Sequence, residues 1–582
     1  MTAAGAQKIL LLHPADDPSR FLARYKWDLV ADLGRAPAST YEVWGRAAGC
    51  RVMSIHDLSR GVDDLHRTRK LLQFGMGEVV DEFGIDWWDV LVQSAVPALQ
   101  QIILADRLAE ILGRSAEIYS TRPHFVSTAL QHLLGGTLVE LQTGRSLSDR
   151  TKHYLNVFQQ LDRRQFTQVL QDKFDPEHNI RRRFARRKQR YRGPLVLLPS
   201  AYVNVSRTAV AYAAAVPDLN FLLVTARNSG RLESLPANVE MESLDGYFSG
   251  VRQGEMKSLA DRWNRLELKL SESSRELAAA KFSGVLANAR ALLRWGFAVR
   301  NAWLSLYESH PFSACLCADD SNPYSRIPLI LAKGRGLSTV ACHHGALDSR
   351  MAIKNQHADL YLAKGEMERD YLVRGCQVAP ERIVIDAPVS VASQPLKNEE
   401  KTNQNWLVFF TEPYHTTGWR MEEVYRDLLP RLLSLARECG LQLVFKLHPF
   451  ESLKGQKRIL RRLLPKKEAR EIAIVTGPIC KEFWTPVSCA LTVQSTVAID
   501  CSRRGIPIFL CGWLADSVGG YAQQFARFGV GCLLESPKDL ARIPKLFKEA
   551  QRLPSSGQET VEPETLRTIL SGMRSRAALM SA

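Results

Sequence analysis

Three segments in the carboxy-terminal third of the chain carry side chains suited to holding a phosphate. In VFKLHP an apolar run ends in Lys446 and His448, and Pro449 offers no further N–H to a strand ladder. In LTVQSTVAID, Gln494, Ser495 and Thr496 stand between two apolar runs. A hydroxyl there can cap the next helix or bond a phosphate together with backbone N–H groups. VFFTEPY sets Thr411 and Glu412 at a third such end. Ligands of open parallel sheets bind beyond the carboxyl ends of the strands, so these ends predict a pocket for a nucleotide phosphate. Each segment also has a plainer reading, His-Pro as turn chemistry and Ser-Thr as an N-cap.

Such ends need a parallel sheet behind them. From 406 to about 535 short apolar runs alternate with amphipathic ones, the pattern of strands covered on both faces by helices. The same pattern fills 193–388, interrupted by charged, helix-periodic sequence over 250–308. The expected fold is therefore α/β, with two doubly wound Rossmann-like domains facing a cleft, at 193–388 and 406–560. A polar, aperiodic linker at 389–405 joins them, and a tail or helix follows at 561–582. Residues 1–180 read as an α/β extension, either a separate domain or an elaborated half of the next one.

A chain of 582 residues with 45% hydrophobic content is long enough for two or three cores. Its formal net charge of +16 calls for an anionic partner. No run approaches the roughly 20 apolar residues of a membrane-spanning helix. The 11 scattered cysteines form no CxxC pair, which points to a reducing, cytoplasmic setting without disulfides or structural zinc. No metal site is expected: the Asp-Asp pairs at 16, 63 and 319 are not DxD, and HxxxH is absent. No GxGxxG follows a predicted strand and GxxxxGK[ST] is absent, which excludes the dinucleotide and P-loop readings.

The order strand, KLHP, helix, strand, QST, helix, RRGIPIFL resembles the carboxy-terminal domain of GT-B glycosyltransferases of bacterial surface polysaccharides, particularly those using CMP-activated Kdo or sialic acid. Those enzymes carry an HP motif and a Ser-Ser or Ser-Thr motif. The resemblance implies that His448 contacts the donor phosphate and that Ser495 and Thr496 bind phosphate or ribose, with Thr496 replacing the family's second serine. The 193–388 region is similar to the second half of the family's amino-terminal domain, including an HG turn. Its last turn, Asp386-Ala387-Pro388, lacks the family's glycine.

Inverting sugar transfer needs a base for the acceptor hydroxyl, and Asp319, Asp320 and His344, at two strand ends, are the candidates. Asp319 or Asp320 could instead cap the helix near Pro323, and His343 could be a satisfied core histidine. The expected donor site is Thr411, Glu412, Lys446, His448, Gln494, Ser495 and Thr496. It needs no cofactor: the nucleotide-sugar is a substrate, and a glycan or lipid-linked molecule is the acceptor. The basic run NIRRRFARRKQRYRGP offers 181–192 to an anionic membrane surface, or is a solvated linker. Its two aromatics are too few for a stacking platform, so no nucleic acid is expected. A nucleotide-sugar 2-epimerase, a glycerophosphate transferase and a degenerate binding protein of the same architecture are the alternatives.

Overall fold

Among the described residues every pairing between the strands is parallel, and the pairings gather into three sheets. The structure, a computed structural model, describes residues 7–113, 116–141, 194–248, 253–345, 347, 357–385, 405–414, 418–449, 451–515, 519–550 and 563–571. The basic run at 181–192, the Asp386-Ala387-Pro388 turn and the 389–404 stretch of the expected linker lie outside these residues.

The first sheet takes β1 (Gln7–Leu12), β2 (Leu29–Asp32), β3 (Arg51–Ser54), β4 (Ala116–Ser120) and β5 (Thr137–Glu140), in the order β3-β2-β1-β4-β5. The second takes β6 (Leu195–Ser200), β7 (Asn220–Thr225), β8 (Val239–Ser243), β9 (Phe312–Cys317), β10 (Ser338–Ala341), β11 (Leu360–Ala363) and β12 (Ile383–Ile385), in the order β12-β11-β10-β9-β6-β7-β8. The third takes β13 (Trp406–Phe410), β14 (Gln442–Lys446), β15 (Ala473–Val475), β16 (Val487–Thr492), β17 (Ile508–Cys511) and β18 (Cys532–Leu534), in the order β15-β14-β13-β16-β17-β18. In each sheet the first strand lies between the second and the fourth. That is the Rossmann order, whose winding reverses beside the first strand and leaves a crevice there. The amino-terminal region thus has a sheet of its own, alongside the two Rossmann-like sheets of the expected α/β fold.

Central strands are apolar on both faces because helices cover both: β6 and β16 are buried along their whole lengths. Helix α1 (Met421–Glu438) buries Val424, Tyr425, Leu428, Leu429, Leu432 and Leu433, the i, i+3, i+4 stripe of an amphipathic helix. Between β8 and β9 the chain is helical, from Gln253 to Ser309, with Trp87 stacked on Phe297 at 4.9 Å where that block meets the amino-terminal region. Gly296 permits this, since a methyl group there would overlap the Trp87 ring. Helix α2 (Pro563–Leu570) comes after the third sheet in sequence yet packs on the second, burying Leu566, Ile569 and Leu570 among Val196, Leu198 and Leu316.

Buried ion pairs tie the sheets together. The Arg420 guanidinium, just ahead of α1, donates to both Asp32 oxygens at 2.8 Å and to the carbonyls of His13, Pro14 and Asp16. It sits over the ends of β1 and β2, beside the Trp44 ring, while on the β4 side the His13 N–H reaches Thr121 Oγ1 at 3.2 Å. The ends of β1 and β2 in the first sheet are therefore capped by a side chain from the third unit. Arg326 pairs with Asp89 at 3.1 Å, and Arg300 with Asp81 at 2.8 Å, joining the amino-terminal region to the middle one. Among the described residues no helix is long and apolar enough to cross a membrane.

Candidate functional site

In the third sheet the crevice lies between β13 and β16. Thr411 and Glu412 follow β13, and Gln494, Ser495 and Thr496 follow β16. His448 is two residues beyond β14, the neighbour of β13. Hydrogen bonds join these ends. The Thr411 N–H donates to Lys446 O at 3.1 Å, and the His448 N–H donates to Thr411 Oγ1 at 3.3 Å and to Glu451 Oε2 at 3.0 Å. The Thr411 hydroxyl donates to the same Glu451 oxygen. Glu412 accepts the Gln494 N–H, closing the gap between β13 and β16.

Burial sets the electrostatics here. It pushes Glu412 up to about 7, aided by the neighbouring Glu451 and opposed by the Gln494 N–H. Burial also pushes Glu451 up to about 7, against the Thr411 hydroxyl and the His448 N–H. Lys446 is lowered by burial, and its ammonium donates to Gly477 O at 2.6 Å and Leu447 O at 3.3 Å, tying the end of β14 to the loop after β15. Ser495 Oγ accepts the Val497 N–H at 3.4 Å, while Thr496, at the N-cap position, is exposed and its side chain does not cap.

The second sheet's crevice lies between β6 and β9. Tyr202, two residues past β6, donates its hydroxyl to Asp319 Oδ2 at 2.5 Å and accepts from Asn322 Nδ2 at 3.1 Å. The loop after β10 brings in His343 and His344, whose rings lie 4.5 Å apart, with His344 5.9 Å edge-on from Tyr202. Lys364 holds that turn by donating to His343 O at 2.5 Å and Gly345 O at 2.9 Å. Asn322, whose Oδ1 accepts the Tyr324 N–H at 2.9 Å, caps the helix that starts at Pro323, so neither aspartate is needed for that task. Asp320 is fully buried, and Arg326 Nε donates to its carbonyl at 2.6 Å. Arg326 also meets Asp89, which His357 Nε2 approaches to 2.6 Å, so a buried network stands behind the aspartate turn.

Ligand atoms of Asp319, His343 and His344 lie within 4.8 Å of one another, close enough for a metal ion. The Gly345 N–H donates to His343 Nδ1 at 3.1 Å, which places that ring's proton on Nε2. A cation on His343 would have to break that bond. The arrangement sets the His344 imidazole beside a carboxylate oriented by a tyrosine.

The structure thus places Asp319 and His344 in one group, with Asp320 turned into the core, and links Thr411, Glu412, His448 and Gln494 around another. Sequence reasoning missed Tyr202, Asn322 and Glu451. Tyr202 follows an apolar strand, LVLLPSAY, and Glu451 follows His448 by three residues, so both had a local signal. Asp89 had none, being 237 residues from Arg326.

Fold and site together define an α/β protein built of three Rossmann-order sheets, two of which end in clustered polar side chains. No family model matches the chain, and no curated protein matches it. Solved structures to which it is similar include a Staphylococcus aureus MnaA–UDP complex, at 9% identity and a TM-score of 0.41, covering 67% of this chain and 98% of that one. A UDP-GlcNAc 2-epimerase from Methanocaldococcus jannaschii, in complex with UDP-GlcNAc and UDP, matches at 11% identity and 0.39, covering 67% and 100%. The wall teichoic acid polymerase TagF matches at 12% and 0.35, covering 67% and 91%.

Proposed function

We propose that this protein is a metal-independent glycosyltransferase that moves a sugar from a nucleotide-activated donor, CMP-linked by preference, to a bacterial surface glycan or lipid-linked acceptor at the inner face of the plasma membrane. The observation that carries this reading is the pair of crevices. Each lies beside the first strand of a Rossmann-order sheet, where such sheets bind ligands, and each collects polar side chains from several strand ends. The resemblance of KLHP and QST to the motifs of CMP-sugar transferases supports the choice of donor.

In this reading the third sheet binds the nucleotide through His448, Ser495 and Thr496, with Thr411, Glu412, Lys446 and Gln494 shaping the loops. At the second sheet His344 takes the acceptor proton and Asp319, oriented by the Tyr202 hydroxyl, stabilises the imidazolium that forms. The bond between the sugar's anomeric carbon and the donor phosphate breaks, and its electron pair leaves on the phosphate. The acceptor oxygen forms the new bond to that carbon.

Calorimetry with CMP, CDP, UDP, GDP and their sugar conjugates, on wild type and His448→Ala, tests the reading. Selective binding of a cytidine nucleotide, lost in the folded variant, is expected. Affinity that the variant leaves unchanged refutes the assigned phosphate site. Turnover of a bound nucleotide-sugar without acceptor would make the protein an epimerase.

A further inference from the structure

Residues 454–470 hold eight Lys or Arg and a single Glu. Helix α3 (Leu453–Leu463) sets Lys454, Lys457, Arg458, Arg461 and Arg462 at i, i+3, i+4, i+7 and i+8, one stripe of a 3.6-residue helix. Its opposite stripe, Gln456, Ile459 and Leu460, is buried, which turns the cations outward; all but Arg458 are exposed. After Pro465, helix α4 (Lys466–Glu471) adds the exposed Lys466, Lys467 and Arg470. Little of this charge is answered from within. Arg462 meets Glu422, while Glu468 and Glu471 are engaged by Arg437 of α1.

Folding does not call for this stripe. Like charges at these spacings weaken a helix, and Lys454 and Lys457 lie toward the amino end of α3, where the helix dipole disfavours cations. A solvated face ordinarily mixes signs. At the start of the stripe Leu453 is 38% exposed, an apolar side chain beside the cations.

The geometry points to α3 and α4 as a docking surface for an anionic lipid bilayer, with phosphate headgroups meeting the cationic stripe. The charges stand on the outward faces of consecutive helices rather than in a groove that would thread a polymer. The length of α3, about 16 Å, spans several headgroups. No aromatic residue lies between 451 and 472 to stack a nucleobase. The apolar stripe of α3 is used inside the protein, so the attraction is electrostatic and yields to salt. Because α3 starts five residues after His448, docking would hold the end of β14 near the membrane. The inference stands on the surface alone and does not depend on the activity proposed above.

Full-length protein sedimented with vesicles of phosphatidylcholine, alone or with about one-third phosphatidylglycerol, tests it. Wild type should sediment only with the anionic vesicles and should be released at ~0.5 M salt. The variant Lys454→Gln/Lys457→Gln/Arg461→Gln leaves the Arg462–Glu422 pair intact. It should bind about 100-fold more weakly, from roughly fivefold per cation, with an unchanged unfolding curve. A companion variant with the arginines of 181–192 changed to Gln should retain binding within a few-fold. Equal binding by wild type and the α3 variant overturns the proposal, as does wild type that ignores anionic vesicles. Capture by heparin or RNA at concentrations where vesicles fail would also overturn it, in favour of a polymeric partner.

Discussion

Replacing Glu412 or Glu451 by Gln should stabilise the protein above neutrality and do little below pH 5. Each carboxyl rises from 4.5 to about 7 in the fold, mainly because burial disfavours its charged form. The native state therefore holds protons that the unfolded chain has released between those values. Stability falls as pH climbs from about 4.5 to 7 and does not recover above it. A shift of that size corresponds to about 3 kcal/mol per group at full expression. The hydrogen bonds that Glu451 accepts, from the His448 N–H and the Thr411 hydroxyl, are partly retained by a glutamine carbonyl. We therefore expect a net gain of about 1–3 kcal/mol at pH 8 for either variant. For the unit around the third sheet that is roughly a 2–10 °C rise in Tm. Scanning calorimetry of wild type, Glu412→Gln and Glu451→Gln at pH 5 and pH 8 reads both size and sign. A loss of Tm equal at the two pH values would show that the carboxylates act as ionised loop anchors, and would refute the reasoning.

Tyr202→Phe removes the 2.5 Å hydrogen bond to Asp319 without altering the strand that carries it. A hydrogen bond to a charged group contributes about 1.5–3 kcal/mol, so kcat should fall by roughly 10- to 150-fold with KM for the donor nearly unchanged. A rise in donor KM at constant kcat would place Tyr202 in binding instead. Arg420→Met should strip Asp32 of its buried partner and cost about 3–5 kcal/mol in urea unfolding, part of which Asp32→Asn in the same chain should restore. Equal losses in the single and double variants would show that the carbonyl contacts, not the ion pair, hold the first sheet.

Periodicity made much of this fold legible. Runs such as LVLLPS and VSCALT are apolar throughout because helices cover both faces of their sheets, and that pattern is independent of distant contacts. The first sheet was harder to read. RVMS could be read as a strand, but the edge strand β5 is only four residues long and buries none of them, so TLVE carries a weak signal. The side chains at strand ends were legible by position, whereas their partners often were not. That Asp320 is fully buried, with its carbonyl held by an arginine that in turn meets Asp89 from another part of the chain, and that Asn322 caps the helix in place of either aspartate, could not be read from the local motif. A local motif names which residues stand at a strand end but not which of them the core takes in.

The three sheets share one strand order, yet the ends of their first strands meet different partners, and the difference lies in the residues just past each of those strands. After β1 comes HPADD, whose carbonyls, together with Asp32 at the end of β2, accept from the Arg420 guanidinium. After β6 comes Ala-Tyr, which instead presents a hydroxyl donor across to Asp319, and after β13 comes Thr-Glu, which meets N–H groups from two neighbouring loops. The acceptors at the β1 and β2 ends are met by a cation of the chain itself, whereas the other two sheets keep their polar groups at the ends that border their crevices. Arg420 immediately precedes α1, in the connection that also leads from Thr411 and Glu412. The amino-terminal sheet thereby anchors the far end of the loop that starts at the β13–β16 crevice. A chain in which Arg420 no longer reaches Asp32 should therefore lose order in that loop before it loses the third sheet, which amide exchange across 411–424 would detect.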